Sequence, residues 1–266
     1  MIHVAIAGAT GRMGRALLAA VASADDLVLS GALVRPGHPG IGQDAGLIAG
    51  VPAGGVVLSD DASAAVARCD VLIDFTAPAA TLAYAELCAA AGRPAVIGTT
   101  GLGADDMTRL EALAARVPLV VAANMSVGVT LALHLLEIAA RVLPDADVEI
   151  LEAHHRHKLD APSGTALAMG RAVARARGQN LDDVAVYDRH AQRAPRAEGA
   201  IGFASLRAGE IIGAHRVLLA SSAERLEIAH VADNRGVFAD GALRAARFAR
   251  GVSPGLYDMR DVLGLR

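Results

Sequence analysis

Short apolar runs typical of β-strands alternate with Ala- and Leu-rich helical patterns through the first half of this 266-residue chain. Such alternation predicts right-handed βαβ units and a parallel sheet, because each crossover helix returns the chain in the same direction. The predicted strands are His3–Ala7, Leu27–Val34, Val56–Leu58, Val71–Phe75, Ala95–Ile97 and Leu119–Ala122. The predicted helices are Arg12–Ala24, Ala62–Ala67, Ala79–Ala91 and Ala104–Ala115, with a loop over Gly37–Gly55. The first half is therefore expected to be an α/β domain built on a parallel sheet.

The pattern changes after a long apolar helix predicted at Val127–Val142. Three later strand patterns follow one another without long helices between them, which is typical of an antiparallel or mixed sheet. The predicted elements of this region are strands at Asp147–His154, Ala200–Arg207, Ile211–Leu219 and Leu226–Val231, and a helix at Ala166–Arg177. We therefore predict a second domain of α+β type, and Asp240–Arg250 returns to a helical pattern.

The composition excludes several classes of protein. A net charge of −3, aromatic residues at 3% and no Trp argue against a nucleic-acid binder. The two cysteines, Cys69 and Cys88, are too few for a disulfide framework and lack metal-ligand spacing. The N-terminus enters a strand without a basic leader, and no apolar run is long enough to span a membrane. We expect a cytoplasmic protein with no nucleic-acid or membrane partner.

A glycine-rich turn, GATGRMG, follows the first predicted strand and opens the first predicted helix. Glycine permits a tight turn and a close approach of the backbone to a pyrophosphate, and the helix N-terminus supplies N–H donors. The spacing is GxxGxxG rather than GxGxxG, and the alternative is a tight turn that binds nothing. The predicted cofactor-binding residues here are Gly8, Ala9, Thr10, Gly11, Arg12 and Met13.

The end of the second strand bears on which nicotinamide cofactor is used. An acidic residue there favours NAD by accepting hydrogen bonds from the ribose, whereas an Arg accommodates the 2′-phosphate of NADP. This chain has Val34 and then Arg35, with no carboxylate. The sequence predicts a preference for NADPH, or at least the loss of strong NADH selectivity. The alternative is that Arg35 is a solvated surface charge.

Two further loops follow predicted parallel strands, at the edge where open α/β sheets bind ligands. Their hydroxyl and amide side chains suit a ribose or a carboxamide, although turns and helix caps use the same residues. The predicted cofactor contacts are Gly98, Thr99 and Thr100 in one loop, and Ala122, Ala123, Asn124 and Met125 in the other.

The segment EAHHRHKLDAPSGTAL, Glu152–Leu167, concentrates the chemistry of the second half. Imidazoles transfer protons near neutral pH, while Arg and Lys bind carboxylates or phosphates. The Pro-Ser-Gly-Thr run is typical of a helix start, which attracts anions. A substrate site is favoured. A solvated basic surface and a metal site using His155 and His157 on alternate strand positions are the other interpretations.

At this point the chain resembles the 4-hydroxy-tetrahydrodipicolinate reductases of the diaminopimelate–lysine pathway, and the resemblance covers nearly the whole chain. The Glu152–Thr165 segment is the most specific part of it. The other matching motifs are Gly8–Gly14, Asp74–Thr76, Gly98–Gly101, Ala123–Gly128, Ile201–Phe203, Arg207–Gly209, Glu224–Glu227 and Tyr257–Met259.

The resemblance implies a role for each part of the chain. It implies a Rossmann-type dinucleotide-binding domain over residues 1–125 with 236–266, and an α+β domain over 126–235 for substrate binding and homotetramer formation. It implies His154 as the proton donor and Lys158 as a second catalytic or carboxylate-binding group. His155, Gly164 and Thr165 would contact a small dicarboxylate substrate. No metal is expected.

Two positions depart from the family pattern. Val34 replaces the acidic residue of NADH-using members, and Met125 replaces a common Phe. The first departure supports NADPH, and the second exchanges an aromatic contact for thioether packing. The alternatives are another nicotinamide enzyme acting on a different imine or keto dicarboxylate, and a nucleotide-sensing regulator without turnover. The regulator would not need the pair His154 and Lys158.

Overall fold

The computed structural model describes residues 1–190 and 193–266. The chain forms two compact units. One comprises Met1–Val127 with Arg235–Arg266, and the other comprises Gly128–Asn234. The chain therefore leaves the first unit once and returns to it at its C-terminal end.

The strands occur where short β-rich runs were predicted, with two short strands in addition. In chain order they are β1 Ile2–Ala7, β2 Leu27–Leu33, β3 Leu58–Ser59, β4 Val71–Asp74, β5 Ala95–Ile97, β6 Pro118–Val121, β7 Asp147–His154, β8 Ala185–Val186, β9 Ile201–Arg207, β10 Gly213–Ala220, β11 Arg225–Ala232 and β12 Gly255–Tyr257. The two that sequence reasoning missed are β8 and β12, which have two and three residues. Such short runs carry too little periodicity to be recognised.

The predicted helices are present with ends that differ by a few residues, and two short helices, Ala45–Ala49 and Leu181–Val184, were not predicted. In chain order they are α1 Arg12–Ala22, α2 Ala45–Ala49, α3 Ala62–Arg68, α4 Pro78–Ala91, α5 Ala104–Ala114, α6 Val127–Val142, α7 Gly164–Ala176, α8 Leu181–Val184, α9 Gly236–Gly251 and α10 Met259–Leu263. The predicted loop Gly37–Gly55 contains α2, whose first N–H groups donate to the Asp44 carboxylate. A single-turn helix of this kind depends on its cap more than on an apolar stripe.

The first unit is built on a seven-stranded sheet in the order β12-β6-β5-β4-β1-β2-β3. Each of these neighbours pairs in parallel, which confirms the predicted Rossmann-type sheet. Alternate residues of β1 enter two separate cores. Val4 and Ile6 pack with the helices α1 and α9, and Ala5 and Ala7 pack with α3, α4 and α5. Helices on both faces explain the continuous apolar character of these strands.

The second unit contains a five-stranded sheet in the order β11-β10-β7-β9-β8. The strand β10 pairs antiparallel with β11 and β7, whereas β7 and β8 pair in parallel with β9. The sheet is therefore mixed, as predicted. One face packs against α6, α7 and α8 through a core that includes Leu136, Ile150 and Val173.

Within the two described ranges, no helix is both long and apolar enough to cross a membrane. Cys69 and Cys88 are buried with free thiols, and burial raises the pKa of the Cys69 thiol to about 11. Among the residues described, no group of three or more His, Cys, Asp or Glu side chains is arranged to hold a metal ion.

Candidate active site

The glycine-rich turn between β1 and α1 is packed too tightly against neighbouring backbone to accept side chains. Gly8 has φ +80°, a conformation that L side chains rarely adopt, and a Cβ there would lie 2.9 Å from the Phe75 carbonyl oxygen. A Cβ on Gly14 would overlap the carbonyl oxygen of Gly8. Gly11 caps α1 and has no side chain to bind the N–H groups of the first turn. The turn therefore fits the close approach of a pyrophosphate to backbone N–H groups.

The two positions at the end of β2 that bear on cofactor choice have different environments. Val34 is buried at 4% exposure and the next residue, Arg35, is exposed. His38 lies close by. Its Nδ1 accepts the Gly40 N–H at 3.0 Å, and its Nε2 is 3.4 Å from Thr10 Oγ1 in the glycine-rich turn. Val34, Arg35 and His38 carry no carboxylate, but the Asp60 carboxylate that follows β3 accepts the Gly37 N–H at 3.4 Å, so one acidic side chain lies near this strand end.

A buried carboxylate joins the loops that follow β4 and β5. Asp74 is 1% exposed and accepts hydrogen bonds from Thr76 Oγ1 at 2.6 Å and Thr81 Oγ1 at 2.5 Å. Thr99 Oγ1 lies 3.3 Å from the same carboxylate and accepts the Thr76 N–H at 3.1 Å. Burial outweighs these hydrogen bonds and raises the pKa of Asp74. Sequence reasoning assigned Thr99 to the cofactor but missed Asp74 as the group that holds this threonine.

The remaining predicted loops lie in the same unit. Gly98 allows the ring of Phe75 to pack against the backbone, because a Cβ there would overlap that ring. Asn124 Oδ1 accepts the Ser126 N–H at 2.9 Å, which makes a local turn. Met125 is 1% exposed and belongs to the apolar core, so its side chain contributes to packing. Gly241 of α9 approaches its carbonyl, where a Cβ would overlap the oxygen.

In the second unit, the last strand residue of β7 is the predicted proton donor, His154. Its ring is buried, and Nδ1 lies 2.6 Å from Oε2 of Glu152. The two residues are two positions apart on one strand, so their side chains share a face of the sheet. They continue the buried row of Val148 and Ile150. The strand therefore places a carboxylate directly behind the imidazole.

A guanidinium binds the same carboxylate from the neighbouring strand. Arg207 pairs with His154 in the register of β7 and β9, and its two terminal nitrogens donate to Glu152 at 2.9 and 2.7 Å. The Ser163 N–H also donates to Glu152, at 3.2 Å. Burial is the largest influence on Glu152 and opposes ionisation. Hydrogen bonds from Arg207, Ser205 and His154 outweigh it, so the pKa of Glu152 falls to about 2.

A second buried imidazole lies beside the first. The rings of His154 and His215 meet edge to face with centroids 5.1 Å apart. Ser163 Oγ accepts the Ala166 N–H at the start of α7 and is 2.9 Å from Nε2 of His215. Burial, and then the nearby His154, lower the pKa of His215 to about 4, so this ring is neutral at physiological pH. Burial also lowers the pKa of His154, and the Glu152 carboxylate opposes that effect.

The basic residues after His154 lie in a loop rather than on the strand. Because β7 ends at His154, as predicted, His155 and His157 do not hold the alternate strand positions that the metal-site interpretation required. The Lys158 N–H donates to the His155 carbonyl at 3.1 Å, which turns the chain. The turn places Lys158 Nζ 2.8 Å from Asp160 Oδ1.

The predicted helix start after this loop is confirmed. Ser163 is the N-cap of α7, and Gly164 and Thr165 are its first two residues. Gly164 is exposed, with no atom near the position of a Cβ. The first N–H groups of a helix have no carbonyl partner within that helix, and they favour an anion. This terminus therefore suits a substrate carboxylate.

Sequence reasoning placed His154 correctly at the end of a strand, but it missed Glu152, Arg207, Ser163 and His215 as its neighbours. The period of two was enough to place Glu152 on the face of His154. Arg207 and His215 are 53 and 61 residues further along the chain, and only the strand order β10-β7-β9 brings them together.

Comparison with known proteins matches both units to one family. Residues 2–125 match the family described as Dihydrodipicolinate reductase, N-terminus, and residues 128–263 match Dihydrodipicolinate reductase, C-terminus. The chain belongs to the dihydrodipicolinate reductase family. The resemblance inferred from the sequence motifs is thereby confirmed.

Named relatives of the family align with the chain from end to end. A 4-hydroxy-tetrahydrodipicolinate reductase of Thiobacillus denitrificans is 55% identical over 266 residues, covering 100% of this chain and 99% of the relative. One from Burkholderia vietnamiensis is 53% identical and covers 100% of both. A solved structure of dipicolinate-bound dihydrodipicolinate reductase from Paenisporosarcina sp. TG-14 superimposes with a TM-score of 0.79, at 26% identity and 97% coverage of each chain.

Proposed function

We propose that the chain reduces 4-hydroxy-tetrahydrodipicolinate to tetrahydrodipicolinate with NADPH or NADH, in lysine and diaminopimelate biosynthesis. The observation that carries this proposal is the match of both units to one reductase family, with 55% identity to a named reductase over the full chain. In the reaction the substrate gains a hydride and a proton and loses its 4-hydroxyl group as water. The reduced nicotinamide, when bound, supplies the hydride.

His154 is the proposed proton donor. The hydride leaves negative charge on the substrate, and an imidazolium is suited to neutralise it near pH 7. The hydrogen bond of Nδ1 to Glu152 directs the ring so that Nε2 is the nitrogen available to a substrate. Gly213 of β10 supports this assignment, because its missing Cβ would lie 3.1 Å from that nitrogen. A general acid of this kind contributes roughly 10²–10⁴-fold to the rate.

The carboxylates of the substrate are assigned to Lys158 and to the N-terminus of α7. An ammonium and backbone N–H groups give charge-assisted hydrogen bonds worth about 1.5–3 kcal/mol each. Lys158 is ion-paired with Asp160, so a substrate carboxylate takes the place of an existing anion. Gly164 and Thr165 supply the helix N–H groups. His155 completes the proposed set, and its Nδ1 is buried without a hydrogen-bond partner.

The proposed cofactor site lies along the C-terminal edge of the parallel sheet. The turn from Gly8 to Met13 receives the pyrophosphate, and Arg35 receives the 2′-phosphate of NADPH. The loops Gly98–Thr100 and Ala122–Met125 receive the nicotinamide end, with Met125 contributing backbone atoms because its side chain is buried. NADPH is the proposed preferred cofactor, since Val34 offers no acceptor to a ribose hydroxyl.

We further propose that residues 126–235 form the substrate and oligomer domain of a homotetramer, with residues 1–125 and 236–266 binding the cofactor. The supporting observation is an apolar patch on the sheet face opposite the helices. Leu151, Leu206 and Val231 are 36%, 52% and 62% exposed there. Patches of exposed apolar side chains mark interaction surfaces. Light scattering after gel filtration tests the tetramer, and a monomer at assay concentrations would overturn it.

The test of the reaction is a steady-state assay with the product of the preceding synthase, generated in place, and either NADPH or NADH. The proposal predicts oxidation of the cofactor that depends on the synthase product, with a higher kcat/KM for NADPH. A chain that is folded and binds NADPH but oxidises neither cofactor would refute the activity. A thermal shift with pyridine-2,6-dicarboxylate that appears only with cofactor present would indicate ordered binding.

A further inference from the structure

The carboxylate behind His154 is built into the second unit more firmly than an ion pair at a surface. Glu152 is 2% exposed, and it is bound by His154, by both terminal nitrogens of Arg207 and by the Ser163 N–H. Burying a charge is costly unless it is paired and hydrogen-bonded, so a carboxylate kept there needs these partners to remain ionised.

These contacts fix the state of the imidazole. Arg207 and the Ser163 N–H can only donate hydrogen bonds, and the ionised carboxylate of Glu152 can only accept them. Glu152 therefore also accepts from His154, which places a proton on Nδ1 and leaves Nε2 to exchange one. A carboxylate that receives the N–H of a histidine sets both the tautomer and the orientation of the ring.

We propose that Glu152 is a positioning residue of the reductase site: it holds the Nδ1 proton of His154 and stabilises the imidazolium from which Nε2 gives a proton to the substrate. The proposal rests on the proposed function, in which His154 is the acid. Arg207 serves the same end, because it keeps Glu152 anionic beside the ring.

The charges around His154 act in opposite directions. Glu152 on the same strand is the anion in contact with the ring. Arg207 on β9 and Lys158 in the following loop are cations that disfavour its protonation, and His215 on β10 adds no charge when neutral. Asp160 is ion-paired with Lys158 and reduces that cation's effect.

His230 on β11 pairs with His215 rather than His154 in the strand register. Glu152 is therefore the group that offsets burial and the two cations.

The experiment is the pH dependence of kcat in Glu152→Gln. Proton donation requires protonated His154, so kcat falls as the pH rises through the pKa of that ring. Removing the carboxylate charge lowers this pKa, and the falling limb of the profile moves to lower pH by at least about one unit. Above the new limb, kcat is at least about tenfold below wild type. The dissociation constant of NADPH, followed by its fluorescence, stays within about twofold.

The matched control is Glu149→Gln. Glu149 lies on the same strand and pairs with Arg189 at 2.7 Å, but its side chain is on the opposite face from His154. This variant removes a paired carboxylate from β7 without touching the imidazole, and its profile should follow wild type. A Glu152→Gln enzyme whose falling limb also coincides with wild type would overturn the proposal.

A second measurement uses the wild-type protein and does not depend on turnover. Long-range ¹H–¹⁵N spectra of the histidine rings report which nitrogen carries the proton. His154 in its neutral form should carry it on Nδ1, with Nε2 unprotonated. A neutral ring protonated on Nε2 would contradict the proposal even if Glu152→Gln did not fold. Absence of turnover in a wild-type protein with the expected tautomer would instead refute the proposed function and leave the positioning intact.

Discussion

Replacing Arg207 with Met removes the cation that keeps Glu152 ionised inside the second unit. Arg207 donates two hydrogen bonds to a carboxylate whose side chain is 1% exposed. Met fills much of the same volume but donates nothing. Glu152 keeps its hydrogen bonds with His154, Ser205 and the Ser163 N–H but loses the largest favourable contribution, so the variant leaves a buried anion that is only partly compensated.

The size of the effect follows from the pKa of Glu152. It is about 2 in the folded chain, against an ordinary value of 4.5. At 1.36 kcal/mol for each pH unit, the difference corresponds to about 3 kcal/mol of stability. The Arg207 side chain is 19% exposed, and solvent screens part of its interaction. We therefore expect Arg207→Met to lower the free energy of unfolding by about 2–3 kcal/mol at pH 7, near the lower end for breaking a buried pair.

The loss should also depend on pH with a defined sign. A carboxylate with a lowered folded pKa contributes its full stability above 4.5, the unfolded value, and loses it as the pH falls through the folded value of about 2. The difference in the free energy of unfolding between wild type and Arg207→Met should therefore decrease by about 1 kcal/mol when the pH is lowered from 7 to 3.5.

Urea denaturation followed by circular dichroism, at one fixed protein concentration, measures both quantities. Arg225→Met is the matched control, because Arg225 pairs with Glu227 at 2.8 Å on β11 and is 68% exposed. Its cost should be under about 1 kcal/mol, as for exposed pairs in general. The reasoning would be refuted if Arg207→Met lowered the free energy of unfolding no more than the control did, or by an amount that did not change with pH.

Three further substitutions test the proposed roles. His154→Gln should lower kcat at least about tenfold while NADPH binding, measured by fluorescence, persists; unchanged kcat would remove His154 from the mechanism. Lys158→Ala should lower kcat and raise the KM of the substrate in steady-state assays, because the ammonium binds a substrate carboxylate and also holds the ring in position for proton transfer; normal values of both would exclude Lys158 from the site. Val34→Glu should lower the ratio of kcat/KM for NADPH to that for NADH by at least about tenfold, because the new carboxylate binds a ribose hydroxyl and repels the 2′-phosphate. An unchanged ratio, or a wild type that clearly favours NADH, would contradict the proposed cofactor preference.

The first unit could be predicted almost completely because its information is local. The predicted strands of the parallel sheet are short apolar runs, and Gly8 and Gly14 mark the turn where the backbone must come close to itself. The edge strand β12 was missed because it has only three residues. The short helix α2 was missed, since its stability depends on the Asp44 cap rather than on an apolar stripe. The return of the C-terminal segment to the first unit was expected from the family resemblance alone.

The second unit shows where local information ends. His154 was predicted as the acid, and its place at the end of β7 followed from the alternation of Asp147–His154. The strand was predicted to end at His154 and does so, but the conformation of the loop beyond it was not predicted, because Arg156 and His157 give no turn signal of their own. The Arg207 and His215 partners depend on which strands lie beside β7, and strand order is not written in any single segment.

One consequence follows from the way β7 carries the site. Val148, Ile150, Glu152 and His154 form one continuous row on the inner face of the sheet. A slip of a single residue against β9 would turn Val148 and Ile150 outward together with Glu152 and His154, the proposed acid and its positioning residue. The activity recovered after refolding would therefore report whether β7 has the correct register. A chain with β7 shifted by one residue would lose both the core packing and the proposed site.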